Sequence, residues 1–283
     1  MIRIAAQYLF DMIGIYKLEY LTYHYLKVYR KRKDIYKQPN KCLLSVIIVT
    51  HNSAHCLDKA LWLFENNKLN KEVEIIIIDN NSGDRSYLKK YEKRKNYQVV
   101  YNKKNFMFTL AVNQGISIAN GGYVLLLNPD VSWEQKLKGD PINKMIEVIE
   151  FDEKIGIVGL LQKQLKSNKA SSYEGFIHNR ISRKPISTKD VFVRWRKLYK
   201  STHPNNEEVS LKHNQNKPTM WVRGSIFIIK RDLINDIGFL PYNKTCKHYF
   251  SEIIYCQIAR YNGWKVLAVG QSYAYHDCGR SGE

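Results

Sequence analysis

Three continuous apolar, β-branched runs constrain this chain more than any other feature: LLSVIIVT (43–50), VEIIIID (73–79) and YVLLLN (123–128). A strand with one wet face alternates apolar and polar side chains. These runs do not alternate, so each is expected to be covered on both faces. The intervening sequence supplies the covers. AHCLDKALWLFENN (54–67) and FTLAVNQGISIA (108–119) have helical spacing, RSYLKKYEKR (85–94) reads as a polar helix, and YQVVYN (97–102) reads as a further strand. Strand and helix alternating at this spacing predict a parallel, doubly wound sheet over residues 43–131. The chain's 283 residues, 44% of them hydrophobic, are enough for a sizeable core.

Sheets of this kind bind ligands at the carboxyl ends of their strands. Thr50, Asp79 and Asp130 each stand where an apolar run stops. A turn explains any one of them and explains the set less well. Asp130 closes Asn128-Pro129-Asp130, which has two readings: a simple turn, or the delivery of one carboxylate to a metal and a phosphate. Asp79 likewise either caps a turn in DNNSGD or accepts the ring N–H of a nucleotide base, with the backbone near Thr50 completing the edge.

Beyond Trp133 the alternation weakens, and residues 162–218 are basic and irregular. Order returns in MWVRGSIFIIKRDLI (220–234), a strand running into a helix, then a helix in HYFSEIIYCQIARYNGW and a strand in KVLAVG (265–270). Residues 1–40 stand apart. They are rich in Tyr, Leu and Ile, close in the basic cluster Arg30–Lys33, and contain no uncharged apolar stretch long enough to span a bilayer. They read either as an amphipathic helix at a membrane interface or as a helix docked on the domain or on a second subunit. The expected organisation is therefore an amino-terminal helical segment and linker (1–40), then two halves at 41–135 and 136–283.

Lys and Arg total 45 against 26 Asp and Glu, a formal net charge of +19, which points to an anionic partner. Zinc-finger spacing, an RNP-like aromatic motif and a recognition helix are all lacking, so nucleic acid is not the expected partner. Five scattered cysteines without C-x-x-C spacing argue against a disulfide framework and for a reducing, cytoplasmic compartment.

SVIIVTHN (45–52), IIIIDNNSGD (75–84), NFMFTLAVNQGISIANGGYVLLLNPDV (105–131) and VRGSIFIIKRDLINDIGFL (222–240) together resemble the inverting, nucleotide-sugar-dependent glycosyltransferases of family two, which have the GT-A fold. Rhamnosyltransferase-type enzymes of bacterial surface polysaccharide assembly are the most similar in pattern. The resemblance implies a single large α/β domain of GT-A type with a mostly parallel central sheet. It implies a nucleotide-sugar donor (dTDP-rhamnose-like or UDP-linked) and a glycan or lipid-diphosphate-linked acceptor. It also implies a divalent metal, Mg²⁺ or Mn²⁺. Thr50, Asn52, Asp79, Asn81, Asn113, Asn128 and Arg223 would contact donor or substrate, and Asp130 with His276 would hold the metal.

One departure stands out. The family's acceptor-side Glu-Asp-x-Asp-Leu-Cys pattern appears here as SEIIYC (251–256). Glu252 then occupies the position of the general base, one methylene longer than Asp, with Ser251 and Ile254 replacing the two other acids. Met107 also stands where the family carries Gly. Two functions follow. The first is an active transferase, peripheral on the inner face of the cytoplasmic membrane and open to assembly with copies of itself or other transferases. The second is a catalytically impaired member acting as their partner or scaffold.

Overall fold

The computed structural model describes residues 40–67, 69, 71–133, 140–163, 170–171, 216–219, 221–242 and 251–276. The amino-terminal segment and nearly all of the basic 162–218 region lie outside these residues. So do Tyr249 and Phe250, which help to set the register of the SEIIYC motif.

The expected alternation is present. Strand β1 (Asn40–Thr50) leads through helix α1 (Ala54–Asn66) to β2 (Glu72–Asp79). A 3₁₀ turn and the short α2 (Lys89–Glu92) precede β3 (Tyr97–Tyr101), and α3 (Met107–Ile118) precedes β4 (Gly121–Leu127). These four strands pair in parallel in the order β3-β2-β1-β4. Ile75 to Ile78 and the whole of β4 are buried, as non-alternating strands require.

The second half contains more structure than its sequence pattern suggests. Strand β5 (Val131–Ser132) is followed by α4 (Pro141–Glu150) and β6 (Ile155–Lys163). Asp140 caps α4 by accepting from the Ile142 and Asn143 amides at 2.7 and 3.2 Å, with Pro141 at the first helical position. Two short strands, β7 (Ala170–Ser171) and β8 (Lys217–Pro218), lie off the main path. Then come β9 (Ile226–Lys230), α5 (Arg231–Ile237), α6 (Ser251–Tyr261) and β10 (Lys265–His276). β10 runs six residues past the expected KVLAVG stretch.

β9 differs in direction from the first four strands. It lies antiparallel between β4 and β6, pairing Leu127 with Ile226 and Tyr123 with Lys230. This reversal matters for function. An antiparallel strand starts where its neighbours end, so Arg223, Gly224 and Ser225, just before β9, sit at the carboxyl-end rim of β4. β10 is parallel to β6 and reaches the same rim, where His276 pairs with Val131 of β5.

Apolar clusters cover both faces of the sheet. One brings α1 and α4 against residues such as Leu44, Ile77 and Leu125; the other brings α3, α5 and α6 against Ile47, Ile76 and Phe227. Arg231 ties the second layer together. Buried to 2% exposure, it donates to the carbonyls of Ile116 (3.5 Å) and Ala119 (2.9 Å) at the carboxyl end of α3 and of Gly121 (3.1 Å) at the start of β4. Among the described residues no helix is long and apolar enough to cross a membrane.

Candidate functional site

The rim has one side at the ends of β1 to β3 and another at the ends of β4, β6 and β10. On the first side the structure separates sealed residues from open ones. Thr50 is fully buried, its hydroxyl 3.0 Å from the Tyr87 hydroxyl. Asn52 is exposed with φ +53°; its amide donates to Ser82 Oγ and its Oδ1 accepts from the Gly83 N–H, each at 2.9 Å. Left-handed backbone is natural for Asn, and Asn81 (φ +71°) repeats the device one strand over.

Asp79 is fully buried. The Ser82 amide donates to Oδ1 and Oδ2 at 3.2 and 3.3 Å, and Arg85 Nε lies 2.8 Å from Oδ2. That Nε–H is not directed at the oxygen, so the contact is an ion pair held by charge. Asp79 was expected to accept from a base directly. Here Arg85 and Ser82 occupy its carboxylate.

Asn113, expected to contact the nucleotide, is bonded to Leu240. Its Nδ2 donates to the Leu240 carbonyl (2.8 Å) and its Oδ1 accepts from the Leu240 amide (3.1 Å). Both ends of the amide therefore fasten the turn after α5 to α3. Asn80, passed over in the sequence, is the organising residue. At 3% exposure it donates to Asn105 Oδ1 (2.7 Å) and the Met107 carbonyl (3.2 Å), and accepts from the Phe106 amide (2.9 Å) and Asn102 Nδ2 (3.2 Å). These bonds hold the turn into α3, where Met107 takes φ +63°, a conformation unfavourable for a residue with Cβ.

On the other side, Asn128-Pro129-Asp130 turns out to be a turn that aims a carboxylate. The Val131 amide donates to the Asn128 carbonyl at 3.2 Å, closing the turn, and Asp130 is carried inward to 4% exposure. Its Oδ1 is buried and accepts no hydrogen bond; His276 Nε2 lies 3.3 Å from it. A buried carboxylate oxygen without a hydrogen-bond donor is costly unless a cation supplies the charge. Among the described residues no three His, Cys, Asp or Glu side chains cluster to hold a metal. One carboxylate and one imidazole nevertheless fit a divalent ion that takes its other ligands from phosphate oxygens and water.

The Asn128 amide donates to the Ser225 carbonyl at 2.8 Å, fastening the Asp130 turn to the segment before β9. Ser225 Oγ donates to Gln162 Oε1 at 2.6 Å, and Arg223 Nη1 reaches the same oxygen at 3.4 Å. Gln162 is the penultimate residue of β6 and is 2% exposed. Glu252, in the first turn of α6, packs on this segment. A Cβ at Gly224 would stand 3.1 Å from Glu252 Cδ and 3.3 Å from Oε1, so only glycine leaves the carboxyl its place.

Burial pushes the Glu252 carboxyl up to about 7, against the opposing pull of the Arg223 guanidinium. A carboxyl titrating there exchanges protons near neutral pH, as a general base must. One turn on, Cys256 is fully buried and its thiol is pushed up to about 12 by burial, so it anchors α6 without acting as a nucleophile.

The comparisons agree with this architecture. The family model described as glycosyl transferase family 2 matches residues 45–238. A cholesterol galactosyltransferase of Borreliella burgdorferi is 34% identical over 100 residues, 35% of this chain and 28% of that protein. The match thus spans under a third of that relative's length. Among solved structures, the mannosyltransferase PcManGT from Pyrobaculum calidifontis, in complex with GDP-Man and Mn²⁺, superposes with a TM-score of 0.55 at 15% identity, over 91% of this chain and 66% of its own. GalNAc-T7 with UDP, GalNAc and Mn²⁺ gives 0.56 at 16% identity, over 83% of this chain and 43% of its own. At such identities these structures speak for the fold.

Proposed function

The chain belongs to glycosyl transferase family 2, and on that premise we propose that it moves a sugar from a nucleoside diphosphate donor to an acceptor hydroxyl with inversion, in one displacement. A dTDP-rhamnose-like or UDP-linked sugar is the proposed donor, and a growing glycan or lipid-diphosphate-linked saccharide of a bacterial surface polymer is the proposed acceptor. The observation that carries the reading is Glu252, a carboxyl raised to about 7 on the rim that also carries Asp130.

In the proposed reaction Glu252 takes the proton from the acceptor hydroxyl. The hydroxyl oxygen attacks the anomeric carbon, and the bond to the diphosphate oxygen breaks on the opposite face. Before the transfer, the Arg223 guanidinium offsets the Glu252 carboxylate's charge, so that it does not repel an anionic acceptor. Gln162 and Ser225 fix the segment on which both groups rest. Asp130 and His276 would hold Mg²⁺ or Mn²⁺. When bound, the ion supplies positive charge to the departing diphosphate. Asn52 and Asn81, exposed at the ends of β1 and β2, would receive the nucleoside. Net charge of +19 supports a peripheral position on an anionic membrane face.

The test is donor-dependent release of nucleoside diphosphate, using the full chain, Mn²⁺, a panel of UDP-, GDP- and dTDP-sugars, and membrane lipid extract. Release by wild type that Asp130→Ala and Glu252→Gln both abolish supports the reading. Nucleotide binding without release from any donor would favour a non-catalytic partner.

A further inference from the structure

We propose that Phe106 and Met107, with Lys103 and Lys104 beside them, form the surface by which the protein rests on an anionic lipid bilayer, so that the rim carrying Asp130 and Glu252 faces the lipid. The inference rests on the peripheral transferase reading above and adds the face that makes the contact.

Met107 is the observation that carries it. Its backbone takes φ +63°, where a Cβ is unfavourable, and its side chain is 43% exposed. The backbone is held there from both sides. The Met107 amide donates to Asn105 Oδ1 at 2.8 Å, and its carbonyl accepts from Asn80 Nδ2 at 3.2 Å. Glycine would meet both bonds without the strain. What the strain secures is therefore the side chain, and that side chain belongs to neither apolar cluster of the core. A large apolar group held outward in a strained turn marks a surface that meets something other than water.

The neighbours say what that is. Phe106 is half-buried, and Lys104 Nζ lies 5.2 Å from the centroid of its ring. Lys103 and Lys104 are both exposed, and residues 102–110 contain no acid to offset them. Apolar side chains flanked by ammonium groups suit the boundary of an anionic bilayer. Thioether and ring enter the acyl region while the lysines stay among the phosphates. The position agrees. Residues 103–107 join β3 to α3 at the carboxyl-end rim, where an acceptor hydroxyl would be presented to Glu252.

Among the described residues the most exposed large apolar side chain lies elsewhere and fits lipid poorly. Phe151, 88% exposed, stands between α4 and β6 at the opposite rim. Asp152 and Glu153 follow it and offset Lys154 and Lys265, so no net positive charge accompanies the ring. The two ends of the sheet thus differ in the charge beside their exposed apolar groups, and that difference orients the molecule on an anionic surface.

The experiment is co-sedimentation of the full chain, at low ionic strength, with vesicles of phosphatidylcholine alone or mixed with phosphatidylglycerol. Wild type should bind the mixed vesicles. Lys103→Gln together with Lys104→Gln should weaken that binding at least about tenfold, and Met107→Asp about tenfold. Phe151→Asp should leave it unchanged. Met107→Gly separates contact from folding. It relieves the backbone, so it should melt within a few degrees of wild type yet bind the mixed vesicles more weakly. Equal binding by wild type and all variants would overturn the inference. So would weakening by Phe151→Asp alone, which would put the opposite rim on the lipid. A Met107→Gly variant that loses UDP in calorimetric titration with Mn²⁺ but keeps its vesicle affinity would also overturn it, since the side chain would then line the nucleotide site. Failure of wild type to bind vesicles would overturn the inference and leave the transferase reading to the release of nucleoside diphosphate.

Discussion

Glu252→Gln replaces one carboxyl oxygen by an amide nitrogen at constant shape, and its effect on stability has a sign that depends on pH. The carboxyl titrates near 4.5 when solvated and near 7 in the folded protein, because burial disfavours its charge. Below pH 4.5 both states are protonated and the group is neutral in both. Between 4.5 and 7 the folded state keeps the proton and the unfolded state loses it, so stability falls as pH rises. Above 7 the carboxyl is charged in both states, and the folded protein bears the whole cost. At ~1.36 kcal/mol per pH unit the shift corresponds to ~3 kcal/mol, and partial solvent contact lowers this to about 2 kcal/mol. Gln cannot ionise. Urea unfolding at pH 4.5 and pH 8 should therefore show Glu252→Gln gaining about 2 kcal/mol relative to wild type between the two conditions. The same variant should be inactive. A difference that does not change with pH, or a variant less stable at pH 8 than at pH 4.5 relative to wild type, would refute the burial argument.

Other consequences follow from individual contacts. Gly224→Ala places a methyl 3.1 Å from Glu252 Cδ and should lower kcat about tenfold. It should also move the ascending limb of the pH–rate profile while leaving the melting temperature within a few degrees. Asn80→Ala removes the bonds that hold Met107 at φ +63° and should raise the KM for donor more than it lowers kcat, read in steady-state kinetics. Arg231→Met removes this donor from two carbonyls at the end of α3 and one at the start of β4 and should cost about 3 kcal/mol in denaturant unfolding, with donor affinity unchanged at any concentration where the protein is folded. For wild type, kcat/KM should rise through about pH 7 as Glu252 loses its proton.

The first sheet strands could be read directly because burial on both faces leaves the stretches 75–78 of β2 and 124–127 of β4 wholly apolar. The second half was harder for physical reasons. Strand direction is not written in an apolar run, so the antiparallel entry of β9, which brings Arg223 and Gly224 to the rim, emerges only from its pairing with β4. Helix α4 did have a local signal. Asp140-Pro141 followed by Ile142, Met145, Ile146 and Ile149 is a capped helix with one apolar face.

At the site, Asp130, Glu252 and Asn81 could be picked out by pattern, but the work of Asn80 could not. Adjacent and identical to Asn81, it differs in being buried at the hub of a turn where Asn81 is exposed. The Arg85–Asp79 pair depends on how residues 80–85 turn back, and the close approach at Gly224 on where α6 docks. Neither leaves a mark in the sequence beyond the residue itself.

The most direct measurement of the central claim is the configuration at the transferred sugar's anomeric carbon in the first product, read by proton NMR with wild type and Glu252→Gln. Direct attack by an acceptor hydroxyl that Glu252 deprotonates predicts a product inverted relative to the donor, formed by wild type and not by the variant. A product with retained configuration, or an inverted product formed equally fast by Glu252→Gln, would contradict it.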